Sequence, residues 1–176
     1  VVYSEGSYVG GLCGRMDLMN KNENNVAGAR YINADVTINL DGAYILGRSA
    51  VGAVAGGLGY GSWNSGTITV NLSNYTNIGD IKNNIPSDTT VYDPICYEAG
   101  GAFGNVYYTN FSYGSSTTTF STPITVNLDS TSRISGLAGS DPDANANAGV
   151  GGAFGTMKGS FATSAKVTVN TTDNSV

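Results

Sequence analysis

Two short signatures recur four times along this chain of 176 residues, always in the same order, and they limit what it can fold into. The first is a Gly-Gly pair preceded by Val or Ala. It reads Val9-Gly10-Gly11-Leu12, Ala55-Gly56-Gly57-Leu58, Ala99-Gly100-Gly101-Ala102 and Val150-Gly151-Gly152-Ala153. Three copies carry a further glycine at Gly14, Gly104 and Gly155, whereas the second departs with Gly59-Tyr60-Gly61. The second signature is [VI]-T-[VI]-N. It reads Val36-Thr37-Ile38-Asn39, Ile68-Thr69-Val70-Asn71, Ile124-Thr125-Val126-Asn127 and Val167-Thr168-Val169-Asn170. A fainter third element, with Ile beside Gly or Ser, follows the first three copies within 43–47, 77–81 and 133–137. Ordered repetition of this kind marks a solenoid, and unequal connecting segments are tolerated where insertions loop out of a regular stack.

In the second signature β-branched residues alternate with Thr and Asn, so one face of the strand buries and the other meets solvent. Stacking like units sets identical residues about 4.8 Å apart, as neighbouring strands require. This predicts an inward set of Val36, Ile38, Ile68, Val70, Ile124, Val126, Val167 and Val169. It also predicts outward ladders of Thr37, Thr69, Thr125 and Thr168, and of Asn39, Asn71, Asn127 and Asn170. The expected fold is all-β, a parallel β-helix or β-solenoid of about four coils with long loops and three strand-like segments per coil. A β-sandwich built from the same strands is the alternative. Residues 1–176 read as one repeat domain. The start at Val1 and the incomplete fourth copy lead to the expectation of a fragment of a longer surface protein. Its ends would then meet further repeats or another copy.

Composition narrows the function. Only 12% of residues are charged, against ~25% in an average domain, yet 40% are hydrophobic, which speaks against disorder. Histidine is absent, which excludes Ser-His-Asp triads, Cys-His pairs and His-ligated zinc. The net charge is −5, and no two basic residues are adjacent. Nucleic acid and anionic membrane are therefore not expected partners. No stretch approaches the ~18 apolar residues of a spanning helix, so membrane insertion is not expected. Cys13 and Cys96 have no CxxC spacing and no zinc-type company, and the sequence leaves their disulfide state open. Sparse charge with abundant Asn, Thr, Ser and Gly fits an exported protein, extracellular or at the cell surface. Asn71, Asn74, Asn110 and Asn170 open N-x-[ST] sequons, which matter only in a source that glycosylates.

The segment Tyr8-Val9-Gly10-Gly11-Leu12-Cys13-Gly14 resembles the glycine-rich GLUG repeat of bacterial adhesins, whose core is GGL-x-G after an apolar residue. The resemblance covers the four glycine signatures. Copies three and four depart from it, with Ala102 and Ala153 in place of Leu and with Phe103 and Phe154 next. It implies a secreted or cell-surface attachment protein. A looser likeness, in expected architecture and aromatic distribution, is to the tāpirins, β-helical cellulose-binding surface proteins.

The aromatic residues gather between the two signatures, at Tyr31, Tyr60, Trp63, Tyr107, Tyr108, Phe111, Tyr113, Phe120 and Phe161. Insertions leaving a solenoid at one corner would bring such rings to one side, where ring faces stack on the C–H faces of sugars. Trp63, Tyr107, Tyr108, Phe111 and Tyr113 are the candidate ligand-binding residues. The competing reading is that these rings pack their own loops. Asp141, Asp143 and Asn145 alternate as oxygen donors and are the candidate calcium ligands. Ala146 and Gly152 replace the glycine and acidic residue of an EF-hand loop, so no cofactor is otherwise expected. Catalysis has little support: the carboxylates recur without a basic partner, and Asp80-Ile81-Lys82 reads as a solvated rim pair. The expected function is non-enzymatic adhesion to an insoluble polysaccharide such as cellulose. The alternatives are an ice-binding Thr and Asn face, or a polysaccharide-degrading β-helix enzyme.

Overall fold

The computed structural model describes residues 1–4, 7–17, 20–21, 27–28, 30–59, 61–79, 96–107, 119–136, 149–157, 160–161 and 166–172. Among them every regular element is a β-strand. Five parallel sheets of four strands carry the fold. The first joins Tyr8–Gly10, Ala50–Gly52, Glu98–Gly100 and Gly149–Gly151. The second joins Cys13–Asp17, Ala55–Gly59, Phe103–Tyr107 and Phe154–Met157. The third joins Arg30–Asn33, Gly61–Ser65, Thr119–Phe120 and Ser160–Phe161. The fourth joins Val36–Asp41, Ile68–Ser73, Ile124–Leu128 and Val167–Thr171. The fifth joins Val2–Ser4, Tyr44–Gly47, Asn77–Gly79 and Arg133–Ser135. Each coil visits the sheets in that order, and the fifth sheet opens one coil ahead with Val2–Ser4. Asn20–Lys21 and Ala27–Gly28 form a separate antiparallel pair.

The chain is a parallel β-solenoid. Every strand of the five sheets pairs in parallel with its counterpart in a neighbouring coil, an arrangement a sandwich of antiparallel hairpins does not produce. The T-x-N strands stack residue on residue, with Val36, Ile68, Ile124 and Val167 in one rank and Asn39, Asn71, Asn127 and Asn170 in another. Ile68, Val70, Ile124 and Val126 are fully buried, as the alternation predicts.

Two expectations need correction. Each complete coil has five strands, not three: the first signature is a corner joining two strands, and a third sheet precedes the T-x-N strand. The second copy was also read four residues out of step. Register pairs Gly10 with Gly52, Gly52 with Gly100 and Gly100 with Gly151, so the repeating unit of the second coil is Val51-Gly52-Ala53. Its Gly56 belongs instead with Gly14, Gly104 and Gly155 in the second sheet. The recurring pattern is therefore G-[GA]-x-x-G. Its physical cause is close approach of backbone around the corner. A Cβ on Gly52 would meet Ala55 O at 2.5 Å, Ala102 O at 2.6 Å and Gly104 N at 2.7 Å. One on Gly56 would run into the backbone of Val9, Ala50 and Gly14. The next position after Gly52 is Ala53 in the second coil, whereas a Cβ on its counterpart Gly11 would meet Ala53 O at 2.5 Å and one on Gly101 would meet Gly152 O at 2.1 Å.

The core continues around the remaining sheets. Trp63, Phe103, Leu58, Val106, Ile78 and Ile45 fill it, each nearly or fully inaccessible. Trp63 meets Phe103 edge to face at 6.2 Å, and Phe103 stacks on Phe154 at 5.9 Å. Burial falls off at the last coil. Val167 and Val169 keep the inward register of Ile124 and Val126, yet they are 39% and 43% exposed.

This gradient yields a prediction. Val126→Asp places an unpaired charge among fully buried neighbours and should cost about 3–5 kcal/mol in denaturant unfolding. Val169→Asp, one coil further on, should cost less than about half of that. Equal losses at the two positions would contradict a core that thins at its last coil.

Candidate functional site

The outer face of the fourth sheet is the most regular polar surface described. Asn71 Nδ2 donates to Asn39 Oδ1 at 2.7 Å, Asn127 Nδ2 to Asn71 Oδ1 at 2.6 Å, and Asn170 Nδ2 to Asn127 Oδ1 at 2.8 Å. A primary amide is both donor and acceptor, so it can bond to a copy of itself above and below. Each amide in the ladder keeps a second N–H and further lone pairs for an outside partner. The Thr rank runs beside it. At the strand's start Thr67 Oγ1 donates to Asp35 Oδ1 at 2.9 Å, and at its end Ser73 Oγ donates to Asp41 Oδ1 at 3.2 Å.

Where the fourth sheet turns into the fifth, the coils are tied together by side chains. Asp129 Oδ2 accepts the Asn74 N–H at 2.8 Å. Its Oδ1 accepts from Thr131 N at 3.0 Å, Thr131 Oγ1 at 2.9 Å and Ser132 N at 2.8 Å. Thr131 Oγ1 in turn accepts the Tyr75 N–H at 3.0 Å, and Asn74 Nδ2 donates to the Asp41 carboxylate. Buried Thr76 completes the corner, donating to Ser73 O and accepting the Ala43 N–H. Tyr75, held in this network by its backbone N–H, is 71% exposed.

The candidate ligand-binding residues fare unequally. Trp63 cannot offer its face to a ligand. It is 1% exposed and its indole N–H donates to Ala34 O at 3.2 Å, because the third sheet turns that position into the coil. Tyr107 ends the second-sheet strand of the third coil. Tyr108, Phe111 and Tyr113 lie outside the described residues, as do Asp141, Asp143 and Asn145. The connections divide between two corners. Segments 18–29 and 108–118 link the second sheet to the third, whereas 80–95 and 137–148 link the fifth sheet to the first of the next coil.

The described acidic side chains serve structural bonds. Asp35, Asp41 and Asp129 hold the fourth-sheet margin, and Glu98, buried between the first and second sheets, accepts Asn105 Nδ2 at 2.6 Å. No group of three or more Cys, Asp or Glu among the described residues could hold a metal ion. Cys13 and Cys96 are both free thiols, and burial pushes the Cys13 thiol up from its usual range. On the flank of the stack the Arg15 guanidinium lies 5.1 Å from the centre of the Tyr8 ring. The sequence reading missed Tyr75 and the Asp129 corner. The signal available was the Asp-Ser-Thr-Ser run at 129–132, since Asp before Ser and Thr favours turns that bond to the backbone.

The Asn74 N–H, with help from Thr131 and Ser132, holds the Asp129 carboxyl well below its usual range. A folded-state value lowered beneath the unfolded one, ~4, contributes stability that is present above about pH 4 and lost as pH falls through the folded value. Asp129→Ala should therefore lower Tm at neutral pH, and its deficit should shrink as pH drops below about 4. Thermal melts across pH test this; a deficit independent of pH would refute it.

Compared with known protein families, curated proteins and solved structures, the chain finds no match in any of the three.

Proposed function

We propose that this chain is a non-enzymatic adhesion module, extracellular or at the cell surface, that holds an insoluble polysaccharide such as cellulose. The observation that carries the reading is topological. In the third coil, the connection from the second sheet to the third begins at Tyr107 and contains Tyr108, Phe111 and Tyr113. Strands locked into the stack bracket that connection on both sides. A ligand held by ring faces needs rings on a firm base, and a β-solenoid supplies one. The uncharged Asn and Thr ranks of the fourth sheet add further support, since neutral glycans recruit amides and hydroxyls rather than ions. The resemblance of residues 8–14 to the GLUG adhesin repeat points the same way. The roles of Tyr107, Tyr108, Phe111 and Tyr113 belong to this proposal; Trp63 does not.

The test is adsorption to microcrystalline cellulose with reducing-sugar release assayed in the same tube. The expected result is adsorption without sugar release, little changed in 1 M salt because the contact is uncharged. Replacing Tyr107, Tyr108, Phe111 and Tyr113 together by Ala should reduce it at least tenfold. Sugar release would favour a degrading enzyme, and undiminished adsorption by the variant would remove these rings from the site. The in-register Thr and Asn ranks also favour one rival, an ice-binding face, which inhibition of ice recrystallisation would reveal.

End-on contact with further repeats or another copy is part of the same proposal. Its support is the exposure of Val150, Val167 and Val169, at 41%, 39% and 43%, where Ala99, Ile124 and Val126 one coil earlier are at 0%. Sedimentation velocity should show association that grows with protein concentration and weakens in Val167→Thr/Val169→Thr. Identical, concentration-independent sedimentation of both proteins would contradict it.

A further inference from the structure

The turn from the fourth to the fifth sheet in the second coil has a feature that packing does not ask for. Asn74 and Tyr75 adopt φ of 53° and 64°, the left-handed region. Asn tolerates it, but a bulky aromatic rarely does. The first coil makes its equivalent turn with one residue fewer and with Gly42 at φ 58°, the residue type such a turn favours. Register sets Gly42 level with Asn74 and Ala43 level with Thr76, so Tyr75 is the residue the second coil adds, and it is 71% exposed. The bonds that hold the strained backbone do not involve the ring. Asp129 takes the Asn74 N–H, Thr131 takes the Tyr75 N–H, and Asp41 takes the Asn74 side-chain amide. Strain maintained by its surroundings and spent on exposing an aromatic ring is a pattern associated with binding sites.

The chemistry around the ring defines what it would take. An exposed aromatic face suits the C–H face of a pyranose. The turn that carries it is polar: the Asn74 amide bonds to Asp41, and the Thr131 hydroxyl takes the Tyr75 N–H. Two carboxylates, Asp41 and Asp129, tie the corner together and disfavour uronic or sulfated sugars. We propose that Tyr75 is a glycan-stacking residue, which the left-handed turn presents to a neutral polysaccharide. This rests on the adhesion reading above and adds a contact separate in sequence from 107–113.

The test uses a residue that prefers the turn. Tyr75→Asn relieves the backbone while deleting the ring, and Tyr75→Phe keeps the ring. Adsorption isotherms on microcrystalline cellulose, chitin and insoluble xylan are measured beside Tm for the wild type and both variants. The expected result is that Tyr75→Asn melts at or above the wild-type temperature, yet adsorbs at least tenfold more weakly to the matrix the wild type binds. Tyr75→Phe should adsorb as the wild type does. If the wild type adsorbs and Tyr75→Asn adsorbs equally well, Tyr75 is no ligand contact and the adhesion reading survives without it. If the wild type adsorbs and Tyr75→Phe loses adsorption as fully as Tyr75→Asn, ring stacking is overturned in favour of the hydroxyl. Wild-type failure on all three matrices overturns the adhesion reading and this site together.

Discussion

Each strand position in this molecule must tolerate its own counterpart about 4.8 Å above and below it, and that constraint governs the rest. In-register parallel pairing brings like onto like, and like charges directly opposite one another are destabilising. The described charged residues follow the rule. Arg15 stacks on Gly57, Asp17 on Gly59, Arg30 on Gly61, Asp41 on Ser73, Glu98 on Ala50 and Gly149, and Arg133 on Asn77. No described register pair sets two charges together. The low charge content is thus a consequence of the fold as much as of any ligand. Asn takes the repeated outer position because its amide can satisfy a copy of itself, which neither a carboxylate nor an ammonium can do.

The same constraint explains which parts of the fold could be read from the sequence. The fourth sheet is covered on one side only, so Val-Thr-Ile-Asn alternates and its period shows. Ala50–Gly52 and Ala55–Gly59 are buried throughout, and a strand covered on both faces has no alternation to display. Those strands merged into a single glycine motif. The motif then aligned on the wrong pair in the second coil, because Ala53 fits where the other copies have a second glycine. Backbone clearance, not the Gly-Gly pair, is what repeats.

The site was legible to a smaller degree for related reasons. Trp63 sits in a strand that opens at Gly61 and is followed by Gly66, so its neighbours in sequence look like a loop. Its burial depends on Phe103, forty residues away, and on the Ala34 carbonyl of the previous coil. No local pattern carries that information. Tyr75 escaped notice for the opposite reason: it belongs to no repeating rank. Its left-handed backbone is set by Asp129 and Thr131 from the following coil, and nothing in Asn74-Tyr75-Thr76 announces it.

These two aromatics show how a solenoid separates structure from recognition. Residues that recur in register are committed to the stack: a Val rank to the interior, an Asn rank to its own ladder, a glycine rank to backbone clearance. A change at one of them disturbs the coils on either side. Residues at corners, where successive coils differ in length, are released from that bond to their counterparts. The second coil has one more residue at its fourth-to-fifth turn than the first, and the extra position is where Tyr75 is found. Specific recognition on such a scaffold is therefore to be sought where the repeat is broken, and the regular faces supply the rigid ground on which those exceptions stand.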